Sequence, residues 1–168
     1  MRKFILAFVL GVLTPVIAAL LFVFLGGMPV ATKSAPLPFE RFLAKTALHA
    51  AMRGEINRAA PVTADEVNLR AGARVYTQNC AGCHGFAGEA ETAVAKGMFP
   101  PPPQLLPPKN GVTDDAVGET YWKVKNGIRL TGMPGFGDSL SDTELWQVSL
   151  FLLHAHQLPP GVLDSVKP

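Results

Sequence analysis

The sequence predicts an all-α protein in which a single N-terminal transmembrane helix precedes a small helical domain. Three observations carry that expectation. Residues Phe4 to Val30 form an apolar run broken mainly by Thr14 and Pro15, and about 20 such residues suffice to cross the hydrocarbon core of a bilayer as a helix. Further on, apolar residues recur at three- and four-residue steps around 39–57, 63–78 and 114–126, the period of a helix with one buried face, and crowd 141–154 densely enough for burial on more than one side. No convincing strand pattern surrounds the chain's two cysteines, Cys80 and Cys83.

Length and charge narrow the reading. With 168 residues there is room for one ordinary domain plus appendages. Residues 1–62 carry seven Lys/Arg against two Glu, a net +5, whereas residues 63–168 carry eight basic against eleven acidic residues, a net −3. The C-terminal part is therefore mildly acidic. It has no basic face interleaved with aromatics, which argues against nucleic acid as a partner.

Residues 1–30 read as a transmembrane anchor or uncleaved signal. Arg2 and Lys3 precede the apolar run, and Pro15 would kink it, which transmembrane helices tolerate. A cleaved signal peptide would have a shorter apolar core and a small-x-small site at its end. Ala18 and Ala19 lie too early for that, and Pro29-Val30-Ala31 puts proline at the −3 position. Lys33, Arg41 and Lys45 follow the span closely, so the distribution of positive charge does not orient it.

Residues 31–62 form a proline-containing connector. Pro36 and Pro38 keep its start extended; Phe39, Phe42, Leu43, Thr46, Ala47 and Ala50 then mark one face of a helix, with Glu40, Arg41 and Lys45 elsewhere. We read it as a spacer that holds the next domain off the bilayer. The same amphipathic pattern also suits a helix lying on the membrane surface or against a partner. His49, alone on this connector, reads as a solvent-facing or packed residue rather than a ligand.

The domain at 63–168 opens with Thr63 as a helix cap and Glu66 three residues on, the pattern of a capping box. The predicted helix runs to about Gln78 and places Val67, Leu69, Ala71, Gly72, Val75 and Tyr76 on or beside its apolar face. Glycine within a helix costs about 1 kcal/mol against alanine, so Gly72 points to another helix passing close by. The expected partner is the last helix, capped by Ser141 with Glu144 at its third position and running to about His154. A third helix is expected from about Asp114 to Asn126, capped by Thr113, with Val117, Tyr121, Val124 and Ile128 as its stripe. His154 and His156 suit the C-terminal end of the last helix, where positive or histidine side chains complement the dipole. Leu158 to Pro168 show little pattern and read as an extended or disordered tail.

The first helix leads straight into Cys80-Ala81-Gly82-Cys83-His84. C-x-x-C-H is the attachment signature of a c-type haem. Each thiol adds across one vinyl group of the same porphyrin, and the adjacent imidazole turns to the iron. A tetrahedral zinc site would need two more good ligands, and only His49, His154 and His156 remain, far off in sequence. A disulfide would leave His84 without a role. Covalent haem attachment takes place outside the cytoplasm, which places residues 31–168 on the periplasmic, extracytoplasmic side of the cytoplasmic membrane with one pass through it.

The helix with Gly72 and Tyr76 entering this motif, together with Asp142 to Leu152, resembles the paired terminal helices of class I cytochromes c. The resemblance covers about residues 63–156 and leaves out the anchor and connector. It extends to Gly132-Met133-Pro134 ahead of the last helix, which resembles the loop that supplies the distal ligand. The resemblance implies three to four helices around one covalently bound haem c, held by Cys80 and Cys83, with His84 and Met133 as axial iron ligands. It further implies that a proline carbonyl among Pro100 to Pro103 holds the proximal imidazole. Met98, fourteen residues after His84, is the rival thioether and reads as packing. Tyr121, Trp122 and Arg129 are weaker candidates for haem or propionate contacts.

With both axial positions filled, a thioether-ligated haem is an electron carrier rather than an oxygen-binding or peroxidatic centre. The expected function is outer-sphere electron transfer by a membrane-anchored monohaem cytochrome c in a respiratory or other redox chain, with no bond chemistry of its own. Its partners would be electron donor and acceptor proteins, among them membrane-bound redox complexes. The alternatives are a cytochrome c subunit of a larger oxidase or dehydrogenase complex, and a haem-based gas or redox sensor in which Met133 dissociates.

Overall fold

The computed structural model describes residues 1–109 and 111–166, and every described element of regular structure is helical. Contacts divide the chain into two units, Met1–Glu40 and Arg41–Pro168.

In the first unit, α1 (Arg2–Phe24) is 23 residues long and buries none of them. Pro15 lies inside it, and the neighbouring Thr14 hydroxyl donates to the Leu10 carbonyl at 2.7 Å. Among the described residues it is the one helix long and apolar enough to cross a membrane.

The second unit begins within α2 (Glu40–Met52), which is shorter than the 39–57 expectation. Its expected apolar face stays bare: Phe42 and Leu43 are exposed. Met52, expected to lie outside the domain, is instead fully buried. The residues beyond it double back, with the Glu55 and Ile56 amides on the Met52 carbonyl. Arg58 then lays its guanidinium over the rings of Tyr121 and Trp146, at 5.1 and 5.3 Å, a cation–π contact.

Helix α3 (Glu66–Asn79) is capped by Asp65, not Thr63. The Asp65 carboxylate accepts the Asn68 amide at 2.9 Å, while the Thr63 hydroxyl donates to the other Asp65 oxygen at 2.7 Å. Aspartate is the stronger acceptor, and it sits two residues closer to the first free amides. The buried stripe is Leu69, Gly72, Ala73 and Tyr76, with Val75 beside it. Val67, expected on that face, is 77% exposed, because the i, i+3, i+4, i+7 stripe starts at Leu69 and passes it by. Short helices α4 (Ala81–His84) and α5 (Ala93–Gly97) follow. Helix α6 spans Val117–Asn126 with Ala116 at its N-terminal boundary, three residues later than expected. The Asp115 amide bonds the Val112 carbonyl, so residues before the helix close a turn of their own.

Helix α7 (Asp142–Leu153) has the expected capping box. Ser141 Oγ accepts the Glu144 amide, and the Glu144 carboxylate accepts the Ser141 amide at 2.8 Å. It buries Leu145, Trp146, Val148, Ser149, Leu150, Phe151 and Leu152, and it is the centre of the core. Against α6, the Trp146 ring stacks on Tyr121 with centroids 3.9 Å apart and planes at 11°. Against α3, Phe151 tilts onto Tyr76 at 5.6 Å. The close approach at Gly72 is real: a Cβ there would run into the Gln147 backbone and Phe151 Cβ. Only a residue without a side chain admits that packing.

The tail expectation fails. Pro160–Leu163 form helix α8, and Asp164–Val166 a 3₁₀ turn. Both lie against α3, with Val162 and Val166 fully buried and Arg70 Nη1 donating to the Gly161 carbonyl at 3.1 Å. Val162 and Val166, four residues apart, are the signal that a tail has a buried face. Lys167 and Pro168, part of that expected tail, lie outside the described residues.

Candidate haem site

Helix α4 is one turn long because the chain reverses at once. Gly85 follows His84 with φ +78°, a left-handed conformation that favours glycine. The Cys83 and His84 amides both return to the Cys80 carbonyl, which sets the two thiols and the imidazole on a single turn. Behind that turn, the buried Tyr76 hydroxyl donates to the Gly85 carbonyl at 2.6 Å, tying α3 to the end of the motif. Burial pushes the Tyr76 phenol well above its ordinary value, so it is a fixed donor.

His84 is held by its ring. Its Nδ1 lies 2.7 Å from the Pro103 carbonyl. A carbonyl can only accept, so Nδ1 carries the proton and Nε2 keeps a free lone pair. Burial lowers the His84 pKa, and the bond to Pro103 opposes that shift. Among the four prolines left open by the sequence, the structure selects Pro103. Fixing the outer nitrogen of an imidazole in this way is what a metal-binding histidine requires. Burial also pushes the half-buried Cys80 thiol up to about 12, with the neighbouring Cys83 adding to the shift.

Cys80, Cys83, His84 and Met133 line one cavity of about 250 Å³. Met133 is carried by the loop after α6. The Phe136 and Gly137 amides bond the Val124 and Lys125 carbonyls, each at 2.9 Å, and the Ile128 amide bonds the Met133 carbonyl at 3.2 Å. Thr131 donates its hydroxyl to Ile128 at 2.6 Å and accepts the Met133 amide at 3.1 Å. The loop lies backbone on backbone against the end of α6. A Cβ on Gly127, which has φ +67°, would strike the backbone of Met133, Pro134 and Gly135. Paired main-chain hydrogen bonds thus fix the backbone that carries Met133, and its side chain packs against the core.

Met98 lines the same cavity, its methyl group against the Cα of Gly132. Both thioethers named from the sequence are therefore in the pocket. Around the two ligand segments, Gly132, Met133, Pro134 and Phe136 line the cavity, whereas Gly82, Gly85, Phe86 and Gly135 do not. Tyr121 is in the core, stacked on Trp146, and donates to Asp142; Trp122 and Arg129 are outside the lining as well. Sequence reasoning missed Leu48, Thr120 and Lys123. Lys123 pairs with Glu119 at 2.6 Å and Asp115 at 3.2 Å. For Leu48 the available signal is its four-residue spacing from Met52, on the side of the connector helix away from Phe42 and Leu43.

These residues fit a haem c. The lining is mainly apolar, two thiols stand on one turn, one imidazole nitrogen is free, and thioethers share the chamber. His49, His154 and His156 do not line it, and no group of three His, Cys, Asp or Glu suited to a metal ion occurs among the described residues.

Comparison with known proteins points the same way. Residues 67–152 match the family model described as cytochrome c oxidase, cbb3-type, subunit III. The chain is also similar to the quinohemoprotein alcohol dehydrogenase ADH IIB of Pseudomonas putida, with 30% identity over 95 residues. That stretch is 55% of this chain and 12% of the relative, so the similarity concerns a small part of a much longer protein.

Proposed function

The chain belongs to the family of cbb3-type cytochrome c oxidase subunit III, a class I c-type cytochrome domain whose cofactor is covalently bound haem c, and on that premise we propose that it is a membrane-anchored monohaem electron carrier. The observation that carries the proposal is the cavity shared by Cys80, Cys83, His84 and Met133. In this reading Cys80 and Cys83 form the two thioethers, and His84 and Met133 ligate the iron through Nε2 and the sulfur. The bound group supplies a one-electron couple. The chain's residues insulate that couple, and a neutral thioether ligand raises its potential relative to a second histidine. Pro103 keeps His84 oriented, and the loop pinned to α6 holds Met133 in place.

Helix α1 would tether the domain in the cytoplasmic membrane with the haem on the periplasmic side. A tether confines the search for donor and acceptor proteins to the membrane surface and raises their effective concentration. The family's own description favours a second reading, in which the chain serves as the cytochrome c subunit of an oxidase complex. Purification in mild detergent distinguishes them: a free carrier comes alone, a subunit brings its complex.

Pyridine haemochrome analysis should count one covalent haem, lost in the Cys80→Ala, Cys83→Ala double variant. The weak near-infrared thioether-to-iron band should vanish in Met133→Ala and survive in Met98→Ala. The reverse pattern would assign the iron to Met98. Rapid binding of CO by the ferrous protein at neutral pH would instead support the sensor.

A further inference from the structure

Helix α2 lies before the residues that match the family, and it has two apolar faces. Leu48 lines the haem cavity and Met52 is fully buried, so one face is spent on the haem domain. At about 100° per residue, Phe42, Leu43, Thr46 and Ala50 fall roughly on the opposite side. There Phe42 is 66% and Leu43 61% exposed, and Phe39, just ahead of the helix, is 76% exposed. Thr46 and Ala50, further along the same side, are exposed too. Contiguous bare aromatic and aliphatic side chains on a helix mark a surface that meets something apolar.

Two further facts indicate what it meets. Arg41, Lys45 and Arg53 are exposed and enter none of the ion pairs among the described residues. Lys45 and Arg53 border the bare face, a placement that suits anionic headgroups. In addition, only residues 25–39 separate α2 from the end of α1, and such a segment reaches at most about 50 Å fully extended. A domain anchored through α1 therefore keeps the start of α2 within about 50 Å of the bilayer, near enough to touch it.

We propose that α2 rests its outward face, Phe42 and Leu43, in the headgroup region of an anionic bilayer while Leu48 and Met52 hold it to the haem domain. The spacer helix is then a foot. It sets one wall of the haem cavity toward the membrane and leaves the other sides of the domain to soluble or membrane-bound partners. The inference rests on the anchoring proposed above.

The test uses the full chain with its haem in nanodiscs of mixed phosphatidylcholine and phosphatidylglycerol. A fluorophore on Thr46→Cys, in the middle of the bare face, reads its depth; Arg74→Cys, exposed on α3, is the reference. Lipids carrying a quencher high on the acyl chain should quench the Thr46 label at least about twofold more than lipids carrying it near the bilayer centre, as for a helix 5–10 Å into the interface. The Arg74 label should respond to neither. Adding Phe42→Ser and Leu43→Ser should abolish the shallow quenching without loss of covalent haem. A Thr46 label as open to aqueous iodide as the Arg74 label, on chains that stay with the disc, overturns the docking and leaves the anchor standing. Loss of the chain from the disc overturns both. Protection of the label in native membranes but not in lipid discs overturns the lipid assignment in favour of a protein partner.

Discussion

Among the described helices of ten or more residues, α1 and α7 are the two most apolar, and they have opposite fates. Helix α1 buries none of its 23 residues, whereas α7 buries seven of twelve. Their ends differ as well. Helix α7 starts with a complete capping box, and α1, whose cap residue is Met1, has no side-chain cap. A helix that ends in water inside a domain must satisfy its first amides locally. An apolar helix with no polar stripe is suited to lipid, where its own backbone bonds suffice. Apolarity by itself therefore specifies burial without saying in what.

That contrast can be broken at several points, most strongly through the core rings. Trp146→Ala should destabilise the haem domain by about 3–5 kcal/mol, read by denaturant unfolding of the holoprotein in detergent. Phe8→Ala, at an exposed position in α1, should leave that transition unmoved; if it shifts the transition comparably, α1 is part of the domain core. A smaller effect is expected at the glycines. Gly72→Ala puts a methyl into the Gln147 backbone and should cost about 1–3 kcal/mol or more, with the thermal midpoint as readout. Gly11→Ala, where a methyl meets nothing within 4 Å, should be neutral.

The cap comes next. Ser141→Ala should cost about 1 kcal/mol; a loss below a few tenths would mean that packing alone holds the start of α7. The smallest effect is in acid. The bonds from Ser141, its side chain first and then its amide, hold the Glu144 carboxyl below the ordinary glutamate value of 4.5. A depressed folded value means that the stabilisation is full above 4.5 and is lost as pH falls through the folded value. Glu144 lies at the surface, so the dip should be shallow and salt-sensitive. It should be absent from Glu144→Gln, and a dip of unchanged depth there would move the titration to another group, such as Asp142 with its Tyr121 bond.

How much of this was legible followed the range of each interaction. The capping box at Ser141 and Glu144, the turn at Cys80 to His84 and the apolar length of α1 are local, and all three read directly from the chain. Competition between neighbours was harder. Thr63 and Asp65 both suit a cap, and only the geometry of the first turn awards the role to Asp65. Partners distant in sequence were out of reach. Val162 and Val166 on α3, Arg58 over the Tyr121–Trp146 pair, and Leu48 at the cavity depend on chain that returns from afar.

The sequence alone determined that the protein is helical, that Cys80, Cys83 and His84 form the C-x-x-C-H signature of haem c attachment, and that a long apolar helix precedes the domain. These follow from short-range periodicity and fixed spacing, which need no knowledge of the rest of the chain. The tertiary structure decided which proline carbonyl holds His84, that Met133 and Met98 share the pocket, and which face of α2 is left bare. Each of these is a meeting of segments tens of residues apart. Close packing and paired main-chain hydrogen bonds choose among many equally apolar candidates, and that choice exists only once the chain has folded.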